Sequence, residues 1–291
     1  MGKLSDIGTI KQILARHGFS FSKALGQNFL INPTISPKMA ELCGAEQENT
    51  GVLEIGPGIG VLTCELAKRA PKVVAVELDK RLIPILSETL ADFNNAKIIN
   101  DDIMKVDLKK LLKAEFSGMN VVVCANLPYY ITSPVLMRLL EEKLGLAAIT
   151  VMVQKEVAQR LCAGAESRKT GSISLAVNYY AEPELLFGVK KGSFMPQPKV
   201  DSAVVKLNVR KSPPCKVLSE ELFFKVIKMA FLQRRKTVIN ALSGGNAIAM
   251  PKTELMEIFE RLGILQTKRA ENLSIKQFAY LSNELHLRGL E

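Results

Sequence analysis

Four consecutive residues, Asn126-Leu127-Pro128-Tyr129, have the types and order needed to hold a planar ring that carries an amino group. They follow Val121-Val122-Val123-Cys124-Ala125, an apolar and mostly β-branched run that is typical of a strand buried on both faces. The proline restrains the leucine before it to an extended backbone and opposes immediate continuation into a helix. We therefore predict a loop at the end of a strand, where a side-chain amide, a backbone carbonyl and an aromatic ring stand together.

These groups suit the exocyclic amine of a purine, which is a weak nucleophile because its lone pair is delocalised into the ring. The Asn126 side-chain oxygen and the Leu127 carbonyl would accept hydrogen bonds from its two N–H groups and aim the lone pair at a methyl donor. Tyr129 would stack on the base, which must be unpaired or flipped out of its helix. Phe194, in the proline-stiffened loop 192–200, either offers a second ring to the base or packs in the core.

A second set of residues predicts a pocket for a nucleoside. Glu54-Ile55-Gly56-Pro57-Gly58-Ile59-Gly60 closes a strand with a glycine loop, although Val61 stands where a dinucleotide fingerprint needs glycine. Glu77 ends the next strand, at the spacing of about 20 residues that suits recognition of ribose hydroxyls. The third strand ends in Asn100-Asp101-Asp102, and one of these two carboxylates can accept from an adenine amino group. Because no phosphate-binding lysine accompanies the loop, S-adenosylmethionine is the expected ligand.

The elements that must position these residues alternate between strand and helix. Alternation of this kind predicts an α/β fold with an open, mostly parallel sheet, whose ligands bind outside the carboxyl ends of the strands. The last two strands are joined by a few residues only, which predicts an antiparallel edge hairpin. The predicted strands are 51–55, 72–77, 96–100, 120–125, 148–154, 172–180 and 184–189, and the predicted helices are 60–69, 80–91, 106–113, 133–142 and 155–162.

The two ends of the chain have different patterns from this central part. Residues 1–22 predict an amphipathic helix, and 202–209 predict one more strand. A helical pattern follows Lys211-Ser212-Pro213-Pro214, so we predict a domain of residues 1–210 and a smaller all-α domain of residues 211–291. The helices predicted for this second domain are 219–231, 234–242, 252–262 and 274–285.

The net charge of +10 is concentrated in two segments. Residues 190–241 contain twelve lysines and arginines against three acidic residues, and residues 1–38 contain five against one. Such segments are either ordinary solvated surface or a face that binds a polyanion such as RNA. Charge by itself does not decide between these two interpretations.

Several classes of protein are not expected from the composition. The five cysteines have no Cys-x-x-Cys spacing, and His17 and His286 are the only histidines, so we predict neither disulfides nor a metal site. An apolar fraction of 47% argues against disorder. No apolar stretch reaches the roughly 18 residues that span a bilayer. The expectation is a cytoplasmic protein without a membrane anchor, and a monomer.

The ordered motifs resemble those of the small-subunit ribosomal RNA adenine dimethyltransferases, which dimethylate N6 of two adjacent adenosines near the 3′ end of that RNA. The resemblance covers nearly the whole chain, and the ordered set is far more specific than any single motif. It implies a Rossmann-like methyltransferase domain and a helical RNA-binding domain. The matching residues are 23–30, Glu54 to Gly60, Glu77, Asp102, Asn126 to Tyr129, Phe194 to Ser202 and Gln233 to Thr237.

The resemblance also implies roles for individual residues. S-adenosylmethionine would be bound by Asn28, Leu30, Gly56, Glu77, Asp102 and Asn126, with residues 27–30 folding over it. The target adenine would be held by Asn126, Leu127, Tyr129 and Phe194. Small-subunit ribosomal RNA, in the immature subunit, would contact Arg234, Arg235 and Lys236.

Two alternatives to this function remain open. One is methylation of an adenine in large-subunit ribosomal RNA, the reaction of the enzymes that confer macrolide resistance; in their tetrapeptide we expect Ile at the position of Leu127. The other is a ribosome-assembly factor that acts mainly by binding the immature subunit.

Overall fold

A computed structural model describes residues 4–22, 25–165, 167–244, 248 and 250–290. The chain forms two compact units. The first unit comprises Met1–Ala158 and Pro183–Val209, and the second unit comprises Gln159–Glu182 and Arg210–Glu291. Residues 159–182, predicted to belong to the first domain, thus pack with the helical C-terminal part.

The first unit is built on a seven-stranded sheet of order β4-β3-β2-β5-β6-β9-β7. The four pairings among β2 to β6 are parallel, and β9 runs antiparallel to β6. The predicted α/β fold with a mostly parallel sheet and an antiparallel edge is therefore confirmed. The strands are β2 (Thr50–Ile55), β3 (Lys72–Glu77), β4 (Ala96–Asn100), β5 (Asn120–Asn126), β6 (Ala148–Gln154), β7 (Ala181–Val189) and β9 (Ser202–Val209).

The centre of the sheet is buried on both faces. Every residue of β2 is buried, including neighbours such as Val52 and Leu53 whose side chains point to opposite faces. Short strands in this position read as continuous apolar runs, which explains why the sequence located them well. The helices between them are α3 (Val61–Ala67), α4 (Ile83–Thr89), α5 (Leu108–Glu115), α6 (Thr132–Glu141) and α7 (Lys155–Leu161).

The N-terminal part adds two helices, α1 (Ile7–Arg16) and α2 (Ile35–Leu42), and a short strand, β1 (Phe29–Leu30). The amphipathic helix predicted for residues 1–22 is α1, which buries Ile10, Ile13 and Leu14. A small separate sheet pairs β1 antiparallel with β8 (Phe194–Met195), placing Leu30 opposite Phe194. Two loops that lie about 160 residues apart in sequence are thereby joined.

The predicted strand 172–180 is wrong, because these residues form helix α8 (Ser172–Tyr180). Ile173, Leu175 and Val177 alternate with small or polar residues as they would in a strand. In the helix Ser174, Leu175, Ala176 and Val177 are all buried, since the helix is covered on more than one side. The antiparallel pairing is instead that of β9 with β6, and β7 lies next to β9 at the edge of the sheet.

The second unit is helical in the described residues. Its core packs α8 with α9 (Glu220–Leu232), α10 (Val238–Leu242), α11 (Lys252–Arg261) and α12 (Ile275–Leu287). The predicted helix 234–242 begins later than expected, at Val238, where the Thr237 side chain accepts from the Asn240 N–H and caps it. Residues 233–237 therefore form an exposed turn. No helix in the described part of the chain is long and apolar enough to cross a membrane.

Candidate active site

A cavity of about 350 Å³ opens at the carboxyl ends of β2, β3, β4 and β5. Its position is the one at which open α/β sheets bind ligands, and its volume lies in the usual range for small-molecule sites. The cavity brings together eight of the nine residues predicted for the donor and the adenine. These are Asn28, Leu30, Gly56, Glu77, Asp102, Asn126, Leu127 and Tyr129.

The glycine loop after β2 has a backbone that other residues rarely adopt. Gly56 and Gly58 have φ angles of 68° and 61°, in the left-handed region. A Cβ atom on Gly58 would lie 3.1 Å from the ring of Phe29, whereas one on Gly56 would meet nothing within 4 Å. The loop is thus packed by the N-terminal segment at one glycine and open to the cavity at the other.

Glu77, at the end of β3, is held by backbone N–H groups on both oxygens. Oε2 accepts from Gly58 at 3.2 Å, and Oε1 accepts from Asp79 at 2.8 Å. Burial raises the pKa of Glu77 to about 6, although these two hydrogen bonds favour its ionised form. The carboxylate is therefore fixed in place and still has lone pairs for ligand hydroxyls.

Asp102 follows β4 and is about one-quarter exposed. Its Oδ1 accepts from the Met104 N–H at 2.9 Å, and its Oδ2 lies 3.8 Å from Lys105 Nζ. Ile103 beside it is buried and also lines the cavity. An acceptor oxygen and an apolar side chain thus stand where the sequence placed an adenine ring.

Asn28 joins the N-terminal segment to the loop after β5. Its side chain donates to the Gly26 carbonyl at 2.9 Å, and its own carbonyl accepts from Asn126 Nδ2 at 3.4 Å. Leu30 is buried, and its backbone pairs with Phe194. Lys23 and Ala24, at the start of this motif, lie outside the described residues.

The two predicted acceptors of the adenine amine are unused. With Nδ2 of Asn126 donating to Asn28, its Oδ1 faces no donor among the described residues. The Leu127 carbonyl likewise accepts no hydrogen bond from the part of the chain that the structure describes, whereas the next carbonyl, that of Pro128, accepts from the Ile131 N–H at 3.2 Å. Two adjacent residues at a cavity wall therefore present free oxygen acceptors, which is unusual for partly buried polar groups.

Tyr129 is held by a hydrogen bond that the sequence did not suggest. Its phenol oxygen lies 2.8 Å from the hydroxyl oxygen of Ser202, which is fully buried on β9. Burial raises the pKa of Tyr129, so the phenol is neutral at physiological pH. The hydrogen bond sets the position of the ring that would stack on a base.

Phe194 is the predicted site residue that does not line the cavity. Its side chain is 3% exposed and lies in a core cluster with Leu30, Met39 and Val204. Of the two roles predicted for Phe194, packing in the core is the one that this structure shows. Its backbone, paired with Leu30, connects the loop 192–200 to the donor side of the cavity.

Two acidic side chains near the cavity were not predicted to belong to the site. Glu54 is 1% exposed with no hydrogen-bond partner for Oε2 among the described residues, and burial raises its pKa to about 8. Asp79 accepts from Gln27 Nε2 at 2.8 Å and from Arg81 Nη2 at 2.7 Å, and the hydrogen bonds from Arg81 lower its pKa. The sequence contained a signal for each of them. Glu54 is an acidic residue inside an apolar strand, and Asp79 lies two residues after Glu77.

The three predicted RNA-binding residues lie in the second unit, in the exposed turn before α10. Arg234 Nη2 donates to the carbonyl of Arg168 at 2.8 Å and to a carboxylate oxygen of Glu271 at 3.2 Å. The Val238 N–H donates to the Lys268 carbonyl at 2.9 Å. Three segments therefore meet and form what we call the basic surface, consisting of Arg168, Lys169, Arg235, Lys236, Lys268 and Arg269.

The described residues contain no group of three or more His, Cys, Asp or Glu side chains that could hold a metal ion. The cavity instead combines carboxylates, amide and carbonyl oxygens and bare glycine backbone, a donor set suited to an organic ligand with hydroxyl and amino groups.

Proteins similar to this chain match it over almost its full length. The family model described as ribosomal RNA adenine dimethylase matches residues 18–287. A ribosomal RNA small subunit methyltransferase A of Geobacillus thermodenitrificans is 48% identical over 96% of this chain and 95% of its own length. The protein of the same name from Alkaliphilus oremlandii is 45% identical over 98% of this chain and 99% of its own.

Solved structures agree with these sequence relatives. A dimethyladenosine transferase from Plasmodium falciparum has a TM-score of 0.76 and 26% identity, covering 90% of this chain and 98% of its own. A 23S ribosomal RNA methyltransferase has a TM-score of 0.66 and 25% identity, covering 89% of this chain and 100% of its own. Because the family model and the sequence relatives extend across both units, the whole chain belongs to the ribosomal RNA adenine dimethylase family.

Proposed function

We propose that this protein transfers methyl groups from S-adenosylmethionine to N6 of two adjacent adenosines near the 3′ end of small-subunit ribosomal RNA. The observation that carries the proposal is the pair of free acceptors, Asn126 Oδ1 and the Leu127 carbonyl, at the wall of a cavity that also contains Glu77. Family membership specifies the reaction, and the names of the relatives point to the small subunit.

The donor side of the cavity suits S-adenosylmethionine. When bound, this cofactor supplies a methyl group on a positively charged sulfur. Glu77, fixed by two backbone N–H groups, would accept from the ribose hydroxyls, and Asp102 would accept from the adenine amino group of the donor. Gly56 lets the ligand approach backbone that no side chain covers.

The acceptor side positions the target amine and does not need a general base. Two hydrogen bonds from the amine, to Asn126 and Leu127, would draw its lone pair out of conjugation and fix its direction. Tyr129, oriented by Ser202, would support the base by stacking. Transfer forms a nitrogen–carbon bond as the sulfur–carbon bond breaks, and the amine proton then leaves to water.

The RNA partner is proposed to bind the basic surface of the second unit. Arg235, Lys236, Arg168 and Arg269 are exposed there and suit contacts to phosphates. Arg234 is proposed to act partly by holding the segment of Arg168 in place. We further propose that the protein acts as a monomer on the immature small subunit, and in the cytoplasm because ribosomal RNA is its substrate.

Methylation of purified immature small subunits with labelled donor, followed by mass spectrometry of the RNA, tests donor, acceptor and site together. Dimethyladenosine at two neighbouring positions of the small-subunit RNA is the expected product. Large-subunit RNA is offered in a parallel reaction. Label found only in that RNA would replace the proposal with the large-subunit alternative.

The assembly-factor alternative requires a separate comparison. A strain lacking the protein is complemented with the Asn126→Ala variant or with Asn208→Ala, a matched change of an exposed asparagine on β9 outside the cavity. If catalysis is the main function, only the Asn208→Ala variant restores methylation and growth. Full rescue by both would make binding the main function.

A further inference from the structure

Tyr130, the residue after Tyr129, is an aromatic side chain that is 55% exposed and lines the cavity. Leu78 and Met104 are the other exposed large hydrophobic residues of the cavity wall in the described chain, but they follow β3 and β4, on the donor side. Tyr130 follows β5, on the same loop as the two free acceptors. The acceptor side therefore carries a second ring, with no role in the reaction described above.

The ring of Tyr130 lies beside the backbone of Gly26. A Cβ atom built on Gly26 would lie 3.4 Å from Tyr130 Cδ1 and 3.7 Å from Pro128 Cβ, both ordinary van der Waals distances, so the backbone at Gly26 lies close beside the ring. Gly26 has a φ angle of 58°, which glycine adopts without strain. A ring that is held in place and yet exposed loses little conformational freedom when a second flat group covers it.

The proposed substrate creates a need for such a surface, and this step rests on the proposed function. When one of two adjacent adenosines enters the cavity, the base next to it loses a stacking partner. That base must remain near the loop after β5, because a single nucleotide link joins it to the target. Aromatic side chains stack on any base regardless of sequence, since every base has a π-face.

We propose that Tyr130 is the stacking platform for the nucleobase adjacent to the one being methylated. Tyr129 and Tyr130 then serve two neighbouring bases at once, with Tyr129 supporting the target and Tyr130 supporting its neighbour.

Steady-state methylation by four variants tests the proposal. Tyr130→Ala and Tyr130→Leu are expected to raise KM for the RNA about tenfold, the effect of losing one stacked base, with KM for the donor unchanged. Tyr130→Phe is expected to behave as the unmodified protein, since it keeps the ring. Tyr280→Ala removes a tyrosine of matched exposure, 54%, from helix α12 and is expected to change neither constant.

The leucine variant separates stacking from packing on Gly26. If Tyr130→Leu has the same KM for the RNA as the unmodified protein, Tyr130 acts by packing on Gly26 alone, and the proposal is overturned. An increase confined to the donor KM would also overturn it, because Tyr130 would then be a wall of the donor site.

Fluorescence gives a direct readout of the neighbouring base. The RNA carries 2-aminopurine beside the target adenosine. When the protein binds this RNA, stacking on the ring of Tyr130 is expected to quench the 2-aminopurine fluorescence. The quenching should be lost in Tyr130→Ala but kept in Tyr130→Phe. Equal quenching in all variants would overturn the inference while methylation of the RNA continued. Absence of adenine methylation by the unmodified protein would instead overturn the proposed function.

Discussion

The proposed donor and acceptor sides of the cavity would recognise their ligands by opposite means. The donor side is proposed to use the carboxylates of Glu77 and Asp102, and burial raises the pKa of Glu77 to about 6. The acceptor side uses neutral groups, with the oxygens of Asn126 and Leu127 left without donors in the described chain. Ligand binding on the donor side should therefore depend on pH and on the charge of the carboxyl groups. Binding on the acceptor side should depend on geometry alone.

The largest effect is expected on the acceptor side, from Asn126→Ala. Loss of one fixed acceptor should lower the rate constant of methyl transfer at least about 100-fold, the usual effect of removing a preorganised polar contact to the reacting group. The measurement is single-turnover methylation with donor and RNA saturating, and Asn208→Ala serves as the control. A loss of donor affinity with normal turnover would place Asn126 on the donor side only and weaken the contrast between the two sides.

On the donor side, Glu77→Gln should weaken S-adenosylmethionine binding about 10- to 100-fold, since hydrogen bonds to a charged group contribute about 1.5–3 kcal/mol. Isothermal titration gives Kd, and Asp92→Asn, an exposed carboxylate outside the cavity, is the matched control. With the pKa of Glu77 near 6, donor affinity of the unmodified protein should rise as pH increases through 6 and then level off. A flat profile for both proteins would contradict a charged ribose acceptor.

Glu54 should make the ligand-free protein less stable as pH rises. Its folded-state pKa of about 8 lies above the ordinary value of 4.5 for a glutamate, so between these values the unfolded chain ionises while the folded one keeps its proton. The free energy of unfolding should fall there by up to about 1.4 kcal/mol per pH unit. Chemical denaturation of Glu54→Gln from pH 5 to 8 should show a shallower decline, and an unchanged slope would argue against a buried neutral carboxyl.

The smallest effect is expected from the Tyr129–Ser202 hydrogen bond. Tyr129→Phe and Ser202→Ala should each raise KM for the RNA about threefold to tenfold, since a neutral hydrogen bond contributes about 0.5–1.5 kcal/mol. The double variant should be no worse than either single one, because both remove the same contact. Additive losses would show that Ser202 does not act through the ring of Tyr129.

The residues that line the proposed donor side could be predicted from the sequence to lie together. Gly56, Glu77 and Asp102 each follow a buried strand, and the carboxyl ends of parallel strands meet at one edge of the sheet. The acceptor tetrapeptide was located for the same reason. Phe194 was harder, because only the pairing of β1 with β8 decides that its side chain enters the core.

The sequence by itself determined the α/β class, the helical C-terminal part and the family, because strand periodicity, glycine turns and motif order are local properties. Tertiary structure alone decided that 172–180 is a helix, that Ser202 holds Tyr129, and that Arg234 binds the backbone at Arg168. In each case the partner lies between 60 and 80 residues away or the burial comes from several elements at once. Such contacts depend on how the elements pack, which no local pattern of residues records.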